Sequence, residues 1–188
     1  LVFHLINALI IFSILFWTSL NSLFAHEKNI NIEKNKNINY LFYIFLFLIF
    51  ITIISGGFMA GTNSGSSFNT FPLMNESFIP EGYYLDDYKW LNIFENTVAI
   101  NFNHRWLGTV TFLFVFTFCL YSLLSNKIYV AKLLIYLILI ILITQFSLGV
   151  LTLLSNVNIK YASLHQTNSV LLLSILLTTY HQYKFREK

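Results

Sequence analysis

Three of the five histidines have the surroundings of metal ligands. His4, His104 and His165 each lie near one end of an apolar run that is long enough to cross a membrane. An imidazole is costly to bury in lipid, so a histidine inside such a run usually marks a functional site. We interpret His104 and His165 as ligands. His26 and His181 lie in basic segments at the opposite ends of the runs, and we interpret them as structural.

The candidate metals are zinc, copper, a di-iron centre and heme iron. Di-iron sites in helical bundles need several inward carboxylates, and none of the apolar runs contains Asp or Glu. Zinc normally takes three or four protein ligands, and the single cysteine, Cys119, lies at a different depth from the histidines. Heme needs only one or two axial imidazoles and a broad apolar slot. The histidines therefore predict a heme held between two helices.

Two polar residues next to these histidines have two interpretations each. Asn168 lies three positions after His165, where it either helps to orient the imidazole or makes a hydrogen bond between helices. Arg105 follows His104 and either pairs with a heme propionate or anchors the helix at the membrane surface. Three glycines follow one another at intervals of four residues: Gly57, Gly61 and Gly65. Such small residues favour close packing of helices in lipid, and the alternative is that a porphyrin rests on them.

The elements that position these residues are apolar helices. Of 188 residues, 56% are hydrophobic and 10% charged, and the mean hydropathy is +0.67. A membrane span takes about 20 apolar residues, and five stretches qualify: 1–24, 40–60, 104–125, 128–154 and 161–182. The sequence predicts an all-α, polytopic transmembrane bundle. The net charge of +3 comes from lysines at the ends of apolar runs, so no nucleic-acid partner is expected.

The connections between these runs predict the orientation. Eight basic residues fall in segment 25–39, in turn 126–132 and in the C-terminal tail, against three on the other side. By the positive-inside rule the C-terminus is cytoplasmic or in the mitochondrial matrix. The long loop 61–103 then faces outward. It holds both prolines and many aromatic residues, which is typical of an interfacial belt or of a lid over a ligand.

The first and last runs are related as a repeat. At an offset of 161 residues, His4 and Asn7 coincide with His165 and Asn168. This match predicts a duplicated unit. Residues 1–24 would be the last helix of an N-terminal half, residues 25–39 an inner basic linker and residues 40–188 a four-helix C-terminal half. Since the chain begins at Leu1 within an apolar run, we interpret it as a fragment without its N-terminal part.

Several motifs, in this order, resemble those of heme A synthases of the alphaproteobacterial and mitochondrial type. They are GGFMAGTNSG at 56–65, FNTFPLM at 68–74, NIFEN at 92–96, NFNHR at 101–105, LGVLTLL at 148–154 and ASLHQ at 162–166. The resemblance covers essentially the whole chain. One departure is Asn103, where the family commonly has an aspartate.

The resemblance implies eight helices in two halves, of which this chain holds about the last five. It implies a heme b cofactor between His104 and His165, and a substrate heme o at His4, with the catalytic residues expected outside this chain. The family oxidises the C8 methyl group of heme o to a formyl group, which gives heme a for cytochrome oxidase in a bacterial or mitochondrial inner membrane. Heme O synthase and cytochrome oxidase assembly proteins are the implied partners, and an oligomer is compatible.

The chain alone is expected to bind heme b without making heme a. Two rival functions are a b-type cytochrome that carries electrons and a non-catalytic assembly factor that binds heme. The first predicts histidine pairs at two depths of the membrane.

Overall fold

The computed structural model describes residues 1–24, 36–124 and 131–185, and within these ranges the fold is all-α. The predicted helical bundle is confirmed. The helices are α1 (Val2–Leu23), α2 (Lys36–Gly61), the short α3 (Asn92–Glu95), α4 (Thr97–Leu124), α5 (Lys132–Leu154) and α6 (Ile159–Phe185). The predictions for His26 and for most of the basic segment 25–39 and the turn 126–132 lie outside the described residues.

Each of the five predicted spans forms a helix. Four of them, α1, α2, α4 and α5, are long and apolar enough to cross a membrane. The fifth, α6, has 27 residues but is less apolar, because polar residues such as His165, Gln166 and Asn168 occupy its first half. The membrane crossing of α6 stays a prediction.

The start of α4 differs from the prediction. The helix begins at Thr97, seven residues before the predicted span, so the loop assigned to 61–103 is shorter and runs from 62 to 96. The cause is a helix cap, since the side-chain oxygen of Asn96 accepts hydrogen bonds from the backbone N–H groups of Val98 and Ala99. As a result His104 lies in the second turn of the helix and not at its end.

Four helices form a ring in which each packs against two neighbours. Helix α2 packs against α4, α4 against α5, α5 against α6, and α6 against α2. Helices α4 and α6, which carry His104 and His165, therefore occupy opposite corners. Because lipid is as apolar as leucine, the ring is held by close packing and hydrogen bonds more than by the hydrophobic effect. The large apolar side chains that are fully buried lie away from His104 and His165: Phe42, Phe45, Val115, Cys119, Ile138 and Leu176.

Helix α1 lies outside the ring, against α2 and α6. Near its start, Leu5 rests on Gly57, where an added Cβ would come within 2.7 Å of the Leu5 Cδ2 atom. Near its other end, Trp17 packs against His181 with ring centroids 5.0 Å apart. The side chain of His181 is 1% exposed and also lies 3.3 Å from the Asn21 side-chain oxygen. His181 thus joins α6 to α1, in agreement with a structural role.

Segment 62–96 packs across the ends of the ring helices. Its aromatic side chains contact three of them, through the pairs Phe94–Phe58 on α2, Phe78–Trp106 and Tyr83–Phe102 on α4, and Phe71–Phe146 on α5. Asn69 also donates a hydrogen bond to Asn156 in the turn between α5 and α6. Other aromatic residues of the segment, such as Trp90, remain exposed. The segment therefore covers this end of the bundle and presents aromatic side chains at its surface.

Candidate functional site

His104 is held by α2 across the helix interface. Its Nδ1 atom lies 2.7 Å from the hydroxyl oxygen of Ser55. The hydrogen of that hydroxyl is donated to the Thr52 carbonyl at 2.8 Å, so the Ser55 oxygen is the acceptor and His104 donates from Nδ1. The tautomer fixed in this way leaves a lone pair on Nε2, the form of imidazole that binds metals.

His165 is held by α5 in a similar way. Its Nδ1 atom lies 3.0 Å from the backbone carbonyl oxygen of Gln145. A carbonyl can only accept, so Nδ1 carries the hydrogen and Nε2 carries the lone pair. The Gln145 side chain lies 3.5 Å from Nε2, and Asn168 donates to its amide oxygen at 2.8 Å and to the Ile141 carbonyl at 3.0 Å. Asn168 therefore both joins two helices and holds a residue that contacts His165.

Each imidazole lies against a glycine of the neighbouring helix. A Cβ added at Gly56 would come within 3.2 Å of the His104 Cε1 atom, and one at Gly149 within 2.9 Å of the His165 Cε1 atom. Both glycines lie in the second-to-last turn of their helices, and both histidines lie in the second turn of theirs. Two corresponding imidazole positions thus lie near the same end of the ring.

Open space lies beside the inward-facing side of α4, one turn after His104. Asn101, Gly108, Val115 and Ser122 follow one another at intervals of seven residues, a spacing that keeps side chains on one helix face. The other three members of this series are buried, so Gly108 also faces the interior. Yet a Cβ added at Gly108 would meet no atom within 4 Å. A flat apolar group has room there, on the face that carries His104.

Arg105 and Asn101 hold segment 62–96 against α4. The guanidinium of Arg105 donates to the carbonyl oxygens of Phe68 and Thr70 at 2.6 and 2.7 Å, and its Nε donates to the Asn101 side-chain oxygen at 2.7 Å. The Asn101 amide donates to the carbonyl of Ser64 at 2.7 Å, and the side chains of Asn101 and Ser64 are fully buried. Arg105 therefore fastens the covering segment, and two of its five N–H groups remain for another acceptor.

This donor set fits heme. No group of three or more His, Cys, Asp or Glu side chains in the described ranges is arranged to hold a metal ion. A pair of imidazoles that carry their lone pairs on Nε2 is sufficient for an iron whose other ligands come from a macrocycle. The open space at Gly108 and the apolar walls of the ring agree with such a group.

Comparison with known proteins shows the family. A family model described as cytochrome oxidase assembly protein matches residues 1–177. The chain belongs to this family. Together with the four apolar helices, membership identifies the chain as a membrane protein. No solved structure matches the chain.

Curated relatives cover almost all of the chain. Heme A synthase of Granulibacter bethesdensis is 36% identical, covering 98% of this chain and 47% of that protein. Heme A synthase COX15 of Bos taurus is 35% identical, with 93% and 42% covered. Heme A synthase of a Wolbachia species from Brugia malayi is 34% identical, with 92% and 49% covered. The chain spans about half the length of these relatives.

The third predicted ligand is not part of the paired site in this family member. His4 is exposed on α1, outside the ring, and its repeat companion Asn7 is exposed as well. Their counterparts His165 and Asn168 are partly buried against α5. His104 and His165 therefore lie near the same end of the ring, and His4 lies on a separate surface. Its assignment to a substrate heme stays a prediction.

Sequence reasoning assigned no role in holding the two histidines to the residues that do so, although Gln145, Ser147 and Gly149 stood out as a polar and small patch within their apolar run. Ser55 and Gly56 stand out only once His104 is known to lie against them, because small residues are common in membrane helices. Gln145 gave a stronger signal, as the only side-chain amide in the otherwise apolar α5. Gly108 could have been found from its place in the seven-residue series of α4.

Proposed function

We propose that this chain is the cofactor-binding part of a heme A synthase and that it holds heme b between His104 and His165. The observation that carries the proposal is the arrangement of these imidazoles on opposite corners of the ring. Each donates its Nδ1 hydrogen to a neighbouring helix and keeps its Nε2 lone pair. The names of the relatives, heme A synthase, support the same function.

The chain's own residues bind, orient and shield. Ser55 and the Gln145 carbonyl fix the two imidazoles, and Gly56 and Gly149 let them approach the neighbouring helices closely. Arg105 fastens segment 62–96 over this end of the ring, which keeps water from the site. When bound, heme b supplies one-electron redox chemistry. Arg105 also has N–H groups left for a propionate.

We propose further that the whole protein oxidises the C8 methyl group of heme o to a formyl group, giving heme a for cytochrome oxidase. His4 would belong to the substrate site, whose other residues lie outside this chain. The repeat supports this division, since His4 and Asn7 correspond to His165 and Asn168. The distribution of basic residues supports a C-terminus in the cytoplasm or matrix, and heme O synthase is the expected source of substrate.

The test is heme binding by the purified chain. We expect a Soret band and a low-spin spectrum, since two imidazoles complete six-coordination. His104→Ala and His165→Ala should each give a high-spin species, and the double variant should lose the band. His26→Ala is the control, because we interpret His26 as structural, and it should leave the spectrum unchanged. A wild-type chain without a Soret band, or a double variant with a normal one, contradicts the proposal.

The b-type cytochrome alternative needs a second histidine pair at the other end of the bundle. In the described part of the chain, the histidine at that end is His181, and it is enclosed by Trp17, Phe24 and Phe185 and bonded to Asn21. This arrangement favours the synthase. The assembly-factor alternative is tested by extracting hemes from cells that produce the longer protein, because only a synthase yields heme a.

A further inference from the structure

The two histidines differ in the group that accepts their Nδ1 hydrogen. For His165 the acceptor is the backbone carbonyl of Gln145, which no substitution removes. For His104 it is the hydroxyl of Ser55. We propose that Ser55 is a positioning residue that fixes the tautomer and ring orientation of His104, and thereby sets the affinity and the reduction potential of the bound heme. This proposal rests on the proposed function.

The surroundings leave Ser55 only one way to interact with His104. Its hydroxyl hydrogen is used on the Thr52 carbonyl, 2.8 Å away. The hydroxyls of Thr52 and Thr111 lie 3.0 Å apart. This second polar contact joins α2 to α4 two turns after His104. The Ser55 oxygen is therefore held in place by its own helix, and it faces Nδ1 as a fixed acceptor.

The ring of His104 is also confined on the side of its Cε1 atom. Gly56 lies so close that an added Cβ would be 3.2 Å from Cε1, 3.8 Å from Nε2 and 3.9 Å from Nδ1. Glycine restricts how far the ring can move toward α2, but it offers no hydrogen bond that would choose between the two tautomers. Ser55 supplies that choice, and with it the direction of the Nε2 lone pair.

Loss of this acceptor weakens the binding of His104 to both ferric and ferrous iron, but by unequal amounts. A bonded Nδ1 hydrogen makes the opposite nitrogen a stronger base, and a stronger base favours ferric over ferrous iron. Loss of such an outer partner typically lowers metal affinity about 10- to 100-fold. For a one-electron couple, each tenfold preferential loss of ferric binding raises the reduction potential by about 59 mV.

The experiment uses the full 188-residue chain, loaded with heme b, in the wild type and in Ser55→Ala, Ser55→Thr and Ser122→Ala. Ser122 is the matched control, because it is a buried serine on α4 whose hydroxyl bonds only the Phe118 carbonyl of its own helix. The measurements are heme affinity, the midpoint potential from a redox titration, and carbon monoxide binding to the ferrous form.

We expect Ser55→Ala to bind heme about 10- to 100-fold more weakly, to have a raised midpoint potential and to bind carbon monoxide as His104 is released. Ser55→Thr keeps the hydroxyl and should restore both properties, and Ser122→Ala should match the wild type. If Ser55→Ala does not accumulate, Ser55→Cys keeps a similar volume with a weaker acceptor and should show the same potential shift at smaller size.

An unchanged potential and unchanged carbon monoxide binding in Ser55→Ala, or in Ser55→Cys where it replaces it, overturn the proposal. An equal shift in Ser122→Ala does so too. A wild-type chain that binds no heme refutes the proposed function instead, so the two failures are distinguishable.

Discussion

Replacing Gly149 with alanine tests the close contact between α5 and the His165 imidazole. The added methyl carbon would lie 2.9 Å from Cε1, 3.4 Å from Nδ1 and 3.6 Å from Nε2 of that ring. Ordinary contacts of this kind are 3.4 to 4 Å long, so the ring must move away by about 0.5 to 1 Å. The ring cannot do so freely, because its Nδ1 is held at 3.0 Å by the Gln145 carbonyl.

The energy follows from two opposing effects. Overpacking of this size costs about 1 to 3 kcal/mol, and the change from glycine to alanine within a helix returns up to about 1 kcal/mol. The balance is a loss of near zero to about 3 kcal/mol in unfolding free energy, which is less than the roughly 5 to 15 kcal/mol by which folded domains are typically stable. The larger effect falls on the imidazole, whose shift and weakened hydrogen bond should lower heme affinity about 10- to 100-fold.

The assay is a heme titration of the purified Gly149→Ala chain, followed by the Soret absorbance, with thermal unfolding measured on the same sample. Gly61→Ala is the control, because its added methyl group would lie at an ordinary 3.7 Å from Leu1. We expect weaker binding and a growing high-spin fraction in Gly149→Ala alone. Equal heme affinity in the two variants would refute the reasoning that the Gly149 surface positions the His165 ring.

Three further outcomes are expected. Gly108→Leu should fill the open space after His104, so the chain should keep or raise its thermal stability and lose heme binding; retention of heme would show that the porphyrin lies elsewhere. Asn101→Leu should leave the Arg105 Nε without a partner and the Ser64 carbonyl with only the Ser67 N–H, at about 1 to 3 kcal/mol for a buried group that loses its partner, seen as a lower unfolding temperature and faster proteolysis within segment 62–96. An assay of the isolated chain with heme o should yield no heme a, since half of the proposed substrate site lies outside it, and formation of heme a would contradict that division.

The helices were predictable from the sequence, and His104 and His165 could be singled out as candidate ligands, because these signals are local. An apolar run of about 20 residues has few alternatives to a membrane helix, and a histidine within such a run is costly enough to mark a site. The offset of 161 residues between His4 and His165 also needed no structure. These signals sufficed for the all-α bundle and for the family resemblance.

The contacts that hold the site were not predictable, because each joins residues distant in sequence. Asn101 resembled part of a polar loop, and its burial depends on the Ser64 carbonyl 37 positions earlier. Arg105 had two reasonable roles, and nothing in the residue pattern indicated that the carbonyls of residues 68 and 70 would take most of its hydrogen bonds. Ser55 becomes informative only when His104, 49 positions later, is placed beside it.

The position of α1 has a consequence for biosynthesis. Its C-terminal end is joined to α6 by Asn21 and His181, which lie 160 positions apart. Since the chain is made from its N-terminus, this contact cannot form until α6 has left the ribosome. Until then the apolar surface of α1 faces lipid, which costs little because lipid solvates it as well as protein does. Truncation before α6 should therefore leave α1 inserted in the membrane with its contact to α2 alone. In the full 188-residue chain, a crosslink between cysteines placed at 17 and 180 should report that α6 has packed against α1.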